Sequence, residues 1–300
     1  MNNNRLILNI QTSLILGVSG EIGQLLLNTF VSFSKEIIGI DKDFNNIVKN
    51  EKIKYIKADL NLLSSLPNED VVIQKAKSAD YIVICLPEQL SISILNRLFP
   101  YIKDGATIID TLAVKQNYLA KVNTLINQSN KKIKILSIHP LFKPALGFKN
   151  NNVIVITREQ DKLEKKDKFM EAIRNRGANI TLSTFVEHDQ MMSVVQALTH
   201  ILILSFGFTL TKINYDSKKF KNFTTPLQQN LFALLSRITN GNAHVYWDIQ
   251  AKNQFNQQLY QHLKQSLDHL SKIIDEGNEE EFNEIFINIK NSLQLEVNKD

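Results

Sequence analysis

A single cysteine, Cys85, stands in this 300-residue chain, so no disulfide framework can form within it, and a reducing compartment fits. Set inside Tyr81-Ile-Val-Ile-Cys-Leu86, it reads as a small buried apolar residue. No basic stripe interleaved with aromatics is present. The net charge of +5 is dispersed, which argues against nucleic acid as a partner and favours small anions. No signal peptide is recognisable, because Asn9, Gln11 and Thr12 interrupt the N-terminal apolar stretch. The most apolar segment, Val194 to Leu210, carries Gln196, His200 and Ser205 and is shorter than the roughly 20 residues of a bilayer span. No internal repeat is seen. These absences lead us to expect a soluble cytoplasmic protein without membrane contact. At 43% hydrophobic and 22% charged residues, the chain is large enough for two modest cores.

Through residue 184, short β-branched runs alternate with helical patterns. Strands are expected at Ser13–Leu16, Glu36–Ile40, Lys52–Ile56, Tyr81–Cys85, Thr107–Ile109, Ile133–Ser137, Val153–Ile156 and Ile180–Leu182. Helices are expected at Glu21–Phe33, Asp70–Lys77, Leu90–Leu98, Tyr118–Asn127 and Gln160–Arg176. This rhythm predicts an α/β fold with a doubly wound, Rossmann-type parallel sheet, its later strands open to antiparallel addition. Beyond 184 the strands stop. Thr184-Phe-Val-Glu187 has capping-box spacing, and helices are expected over 185–213, 225–238, 242–273 and 278–295. The chain therefore divides into a dinucleotide-binding domain, 1–184, and an all-helical substrate and dimerisation domain, 185–300. The segment Met191–Leu210 is apolar nearly all round and needs cover on several sides, which either burial inside its own domain or a homodimer would give; a homodimer is the expectation.

Four constellations carry chemistry. The turn Gly17-Val-Ser-Gly20-Glu21-Ile22-Gly23 follows the first strand and opens a helix, a position that suits pyrophosphate. Its spacing departs from the usual fingerprint at Val18. Asp41 closes the second strand, where a carboxylate can accept from ribose hydroxyls and repel a 2′-phosphate, favouring NAD over NADP. Pro87, after the Tyr81 strand, is assigned to the same cofactor site. In His139-Pro-Leu-Phe-Lys-Pro144, an imidazole on a proline-stiffened loop after a strand suits a general base; an ordinary proline-bounded turn is the plain alternative. Asp189, Ser193, Gln196 and His200 share one helix face, either toward a ligand or in structural hydrogen bonds. His188 lies off that stripe, about 120° from His200 on the helical wheel, so a metal site is not expected. Arg237, inside an apolar helical stretch, is either an anion-binding guanidinium or a snorkelling surface residue.

Together, the glycine turn, Asp110-Thr-Leu-Ala-Val-Lys115, His139-Pro-Leu-Phe-Lys-Pro144, Glu187-His-Asp-Gln-Met-Met192, Gln196-Ala-Leu-Thr-His200 and Arg237 resemble the prephenate/arogenate dehydrogenase family over nearly the whole chain. The start directly at the nucleotide fold implies that no chorismate mutase domain is fused. The resemblance implies oxidation of the prephenate C4 hydroxyl by hydride transfer to NAD, with loss of CO2. His139 matches the family histidine that takes the hydroxyl proton, and Arg237 matches the arginine that holds a substrate carboxylate. Gln196, His200, Ala113 and Lys143 fall at substrate positions. Alanine at 113 replaces the usual serine, a loss of tenfold or less in rate at about 0.5–1.5 kcal/mol per hydrogen bond, or the mark of a 4-amino-4-deoxyprephenate substrate. Lys143 replaces a common glycine; pointing inward, it would lower the His139 pKa and favour prephenate over arogenate. A non-catalytic NAD- or aromatic-binding dimer is the alternative outside the enzyme class. A generic hydroxyacid dehydrogenase leaves the HPLFKP segment unexplained.

Overall fold

The computed structural model describes residues 11–44, 50–65, 70–158, 167–216 and 218–293. They form two compact units, Met1–Met191 with Trp247–Ile249, and Met192–Tyr246 with Gln250–Asp300.

The first unit is built on an eight-stranded sheet of order β3-β2-β1-β4-β5-β6-β7-β8. Its strands are β1 (Thr12–Leu16), β2 (Glu36–Asp41), β3 (Ile53–Lys57), β4 (Tyr81–Ile84), β5 (Thr107–Asp110), β6 (Lys134–Pro140), β7 (Asn152–Ile156) and β8 (Asn179–Ser183). All neighbours pair in parallel except β6 with β7, where His139 faces Ile154 and Pro140 faces Val153. The central strands are apolar on both faces, as a sheet covered on two sides requires. Leu14, Leu16, Ile38, Ile40, Ile82 and Ile84 enter one core, while Ile15, Ile37, Tyr81 and Val83 enter the other. The first six strands reproduce the 3-2-1-4-5-6 order in which the chain reverses direction across the sheet between β1 and β4.

All eight predicted strands are present, with one correction. His139 and Pro140 are the last two residues of β6 rather than part of a loop. The ladder with β7 holds the histidine, and the Leu141 amide continues it to the Asn152 carbonyl at 3.0 Å. Pro140 is tolerated because its nitrogen faces the β5 side, beyond the last β5–β6 pair at Asp110 and Ser137, where no ladder donor is needed. The covering helices are α1 (Glu21–Phe30), α2 (Val71–Ser78), α3 (Glu88–Leu98), α4 (Gln116–Asn127) and α5 (Lys168–Asn175). Asp70 caps α2 through the Val72 amide and Asp167 caps α5 through the Met170 amide. The predicted residues 160–166 ahead of α5 lie outside the described residues, as do 294 and 295 at the end of the last predicted helix.

One helix runs over Phe185–Lys212. It comprises α6 (Phe185–Met192), a π-helical stretch Ser193–Leu198, and α7 (Thr199–Lys212). The capping box forms by half: Thr184 Oγ1 accepts the Glu187 amide at 3.2 Å, but the Glu187 carboxylate accepts from the Ser183 hydroxyl instead of closing back on Thr184. With 28 residues the helix is long enough to cross a membrane, so the length argument drawn from Val194–Leu210 fails; Asp189, Ser193, Gln196 and His200 along it still speak against a span. The chain continues with α8 (Pro226–Thr239), α9 (Ala243–Lys252), α10 (Asn256–Asp275) and α11 (Glu279–Leu293), all in the second unit but for Trp247–Ile249 of α9. The single helix expected over 242–273 is two. Asn253 turns extended after α9, and its Oδ1 accepts the Phe255 amide at 3.1 Å, which opens α10.

Candidate active site

Strands β1, β4, β5 and β6 run in parallel, so the segments leaving their carboxyl ends share one edge of the sheet. The glycine turn leaves β1, Cys85 to Pro87 leave β4, Thr111 to Lys115 leave β5, and His139 is the next-to-last residue of β6. This is the edge at which open α/β sheets bind ligands, beside the switch between β1 and β4.

The three glycines have different reasons to be there. Gly17 has φ +80°, and a Cβ on it would lie 2.4 Å from the Cys85 carbonyl oxygen. A Cβ on Gly23 would lie 2.2 Å from the Gly17 carbonyl oxygen. The protein's own packing therefore requires both. Gly20 is the N-cap of α1, and a Cβ there would meet nothing nearer than 3.5 Å. The space above this helix N-terminus is left clear, with the first-turn amides of Glu21 and Ile22 beside it, a cradle that fits a pyrophosphate. Asp41 accepts the Ser19 amide through Oδ2 at 2.9 Å and the Lys42 amide through Oδ1 at 2.8 Å. It thus ties the end of β2 to the turn and keeps lone pairs for ribose hydroxyls. Pro87 is the N-cap of α3. These residues fit a dinucleotide with an unphosphorylated ribose.

Around His139 the structure gathers groups that lie far apart in the chain. His139 is buried, and its Nδ1 lies 2.8 Å from Nε2 of His188. His188 Nδ1 lies 2.7 Å from Asp189 Oδ1. The Asp189 carboxylate also accepts the Lys115 amide at 3.2 and 3.3 Å and the Gln116 amide at 3.1 Å, so α6 supplies the cap that the N-terminus of α4 lacks locally. The fully buried Lys115 ammonium donates to Asp110 Oδ1 at 3.1 Å and to the Ile138 carbonyl at 2.9 Å. Burial pushes the His139 pKa well below its ordinary value, and His188 and Lys115 push the same way. The His188 pKa is also lowered, chiefly by burial, against the opposing hydrogen bond to Asp189.

Other predicted residues are placed differently. Ala113 is half-buried in the segment between β5 and α4. Lys143 is exposed, and the lysine whose field reaches His139 is Lys115 instead. Gln196, His200 and Arg237 belong to the second unit. His200 is half-buried, its ring 4.9 Å from that of Tyr246, and its Nδ1 is enclosed without a hydrogen-bond partner among the described residues. Arg237 is exposed on α8. Sequence reasoning passed over Lys115 as a buried cation and set His188 aside as lying off the stripe. The signal was there for the lysine, which follows the apolar run Leu112-Ala-Val114. For His188 only the fold reveals the partner.

Comparison with known proteins agrees with this architecture. Residues 30–182 match the family model described as prephenate dehydrogenase, nucleotide-binding domain, and residues 185–288 match prephenate dehydrogenase, dimerization domain. A protein of Methanocaldococcus jannaschii named probable arogenate/prephenate dehydrogenase is 24% identical over 81% of this chain and 54% of its own length. The chain thus spans about half of that relative. The 4-amino-4-deoxyprephenate dehydrogenase of Streptomyces pristinaespiralis is 26% identical over 72% of this chain and 71% of its own. Among solved structures, prephenate dehydrogenase from A. aeolicus, in complex with hydroxyphenyl propionate and NAD+, superposes with a TM-score of 0.66 at 19% identity, covering 95% of this chain and 97% of that one.

Proposed function

The chain belongs to the prephenate dehydrogenase family, and on that premise we propose that it catalyses the NAD-dependent oxidative decarboxylation of prephenate to 4-hydroxyphenylpyruvate. One observation carries the reading: a buried histidine lies in the last two residues of β6, on the same sheet edge as a glycine turn whose middle residue leaves the helix N-terminus clear. In this reading residues 1–184 hold the cofactor, and residues 185–300 hold the substrate carboxylates and the second subunit of a homodimer.

NAD, when bound, accepts the hydride from C4 of the substrate. His139 is buried and, with its lowered pKa, neutral near pH 7, so it is ready to accept the C4 hydroxyl proton. As the hydroxyl becomes a carbonyl, the ring carboxylate leaves as CO2 and its bonding electrons make the ring aromatic. Arg237 takes a substrate carboxylate in two-point contact. Gln196 and His200 bind polar groups of the substrate, Ala113 leaves room beside the C4 substituent, and the exposed Lys143 carries no role in this reading.

Ala113 also favours a second reading, a 4-amino-4-deoxyprephenate dehydrogenase, because it offers no hydroxyl to a C4 hydroxyl group. The test is a substrate panel of prephenate, arogenate and 4-amino-4-deoxyprephenate with NAD, for the unaltered chain and Ala113→Ser. The expected result is the highest kcat/KM on prephenate, rising by up to about tenfold in Ala113→Ser. Higher efficiency on the amino compound would replace the first reading with the second.

A further inference from the structure

The contacts around His139 fix more than its position. Backbone amides can only donate, so the Asp189 carboxylate, held by the amides of Lys115 and Gln116, is an acceptor there. His188 Nδ1, 2.7 Å from the same carboxylate, must then carry its proton. In a neutral His188 that leaves Nε2 with a lone pair, and the ring nitrogen 2.8 Å away, His139 Nδ1, must be the one that donates. A neutral His139 with a protonated Nδ1 has its lone pair on Nε2. The opposite arrangement would turn a lone pair of His188 toward an anion in a buried site.

We propose that His188 and Asp189 are positioning residues for the proton acceptor: together they impose the tautomer in which His139 presents a bare Nε2, and they accept part of the positive charge once that nitrogen is protonated. The proposal rests on the dehydrogenase reading for its reaction step. There, the substrate O–H bond breaks and its proton joins His139 Nε2 while the C4 hydride goes to NAD. The His139 Nδ1–H can then pass to His188 Nε2, leaving an imidazolium beside the Asp189 carboxylate. No further reactant is needed. The charged and titratable groups facing the pair are Asp189 on α6, Lys115 at the start of α4 and Asp110 at the end of β5. Lys115 opposes protonation of both rings, whereas the Asp189 and Asp110 anions favour a proton on His188, Asp189 through its hydrogen bond as well as its charge, so they favour moving the charge toward His188.

The test has a readout that needs neither cofactor nor substrate. In the full chain labelled with 15N-histidine and assigned with His139→Asn and His188→Gln, NMR at pH 7 reads which ring nitrogen holds the proton. Protonated Nδ1 and bare Nε2 are expected on both residues. A proton on His139 Nε2 in the unaltered chain overturns the proposal, whatever the substrate proves to be. Asp189→Asn is expected to invert the tautomers and lower kcat about a hundredfold with KM within about threefold. His188→Gln keeps an acceptor for Nδ1–H but cannot take a proton, and should lose about tenfold in kcat; His188→Leu should lose about a hundredfold. Folded Asp189→Asn and His188→Leu proteins that keep kcat within about threefold, with an unshifted pH profile, also overturn it. Should Asp189→Asn fail to fold, the tautomers of the unaltered chain and the His188 pair still decide. Failure of every cyclohexadienyl substrate would refute the dehydrogenase reading and leave the tautomer result standing.

Discussion

Burial lowers the pKa of both His139 and His188, and the sign of this shift fixes two outcomes. The base form of His139 persists below pH 6.5, so the acid limb of kcat/KM should fall below the range of an ordinary histidine. In the unfolded chain both rings protonate near pH 6.5, whereas in the folded chain they resist. The unfolded state therefore binds more protons below that pH, and stability falls as the solution is acidified through it. The urea midpoint should drop between pH 7.5 and 5.5, and drop less in His139→Asn. A midpoint that rises on acidification would contradict the assignment. Lys115 gives a prediction of a different kind. Its ammonium and the Asp110 carboxylate are both shut off from solvent. Lys115→Met would strand that carboxylate, at a cost of about 3–5 kcal/mol, measurable as a lost or strongly lowered unfolding transition. Residues of this sort are hard to find in a sequence, because a lysine's letter does not tell whether its head reaches water.

At the scale of elements, the sheet was legible and the helix breaks were less so. Runs such as Ser13–Leu16 and Tyr81–Cys85 are short, apolar and bounded by turn residues, and each formed a strand within one residue of the expected ends. The break at Asn253 was missed because an asparagine in a helical pattern stops the helix only when its side chain finds a backbone amide, as it does at Phe255. The π-helical stretch at Ser193–Leu198 has no distinguishing composition. His139 was legible as a reactive candidate, but its support from α6 was not, since a contact between positions 139 and 188 depends on how α6 packs near the ends of β5 and β6. The glycine turn allows the sharpest separation of structure from ligand. Gly23→Ala pushes a methyl group into the Gly17 carbonyl and should destabilise the first unit by about 1–3 kcal/mol. Gly20→Ala meets no protein atom within 3.4 Å, so its thermal transition should stay within a degree or two while NAD affinity, read by calorimetry, falls about tenfold or more. Equal loss of stability in both variants would show that the turn is only a packing device.

The whole molecule leaves many large apolar side chains of its second unit exposed among the described residues. Phe208, Ile213, Phe223, Leu227 and Phe286 are each at least 64% exposed. Single exposed apolar residues are ordinary, but a series of large ones on α7, α8, α11 and the segment between α7 and α8 exceeds what a monomer usually shows to water. Two occupants compete for such a surface. A bilayer would suit the 28-residue apolar helix by length, yet it would have to accept the Asp189, Ser193, Gln196 and His200 side chains or see them satisfied elsewhere. A second copy of the chain covers apolar helices and tolerates interspersed polar groups, and the match of residues 185–288 to a dimerization domain points the same way. The chain should therefore stay in the supernatant after ultracentrifugation without detergent and sediment at about twice its 34.3 kDa mass. Phe208→Asp with Phe286→Asp should shift that mass toward the monomer in a concentration-dependent way, with NAD affinity within about threefold because the glycine turn lies in the first unit. Recovery only in the membrane pellet, or a monomer at every concentration with these faces intact, would remove the dimer from the proposal.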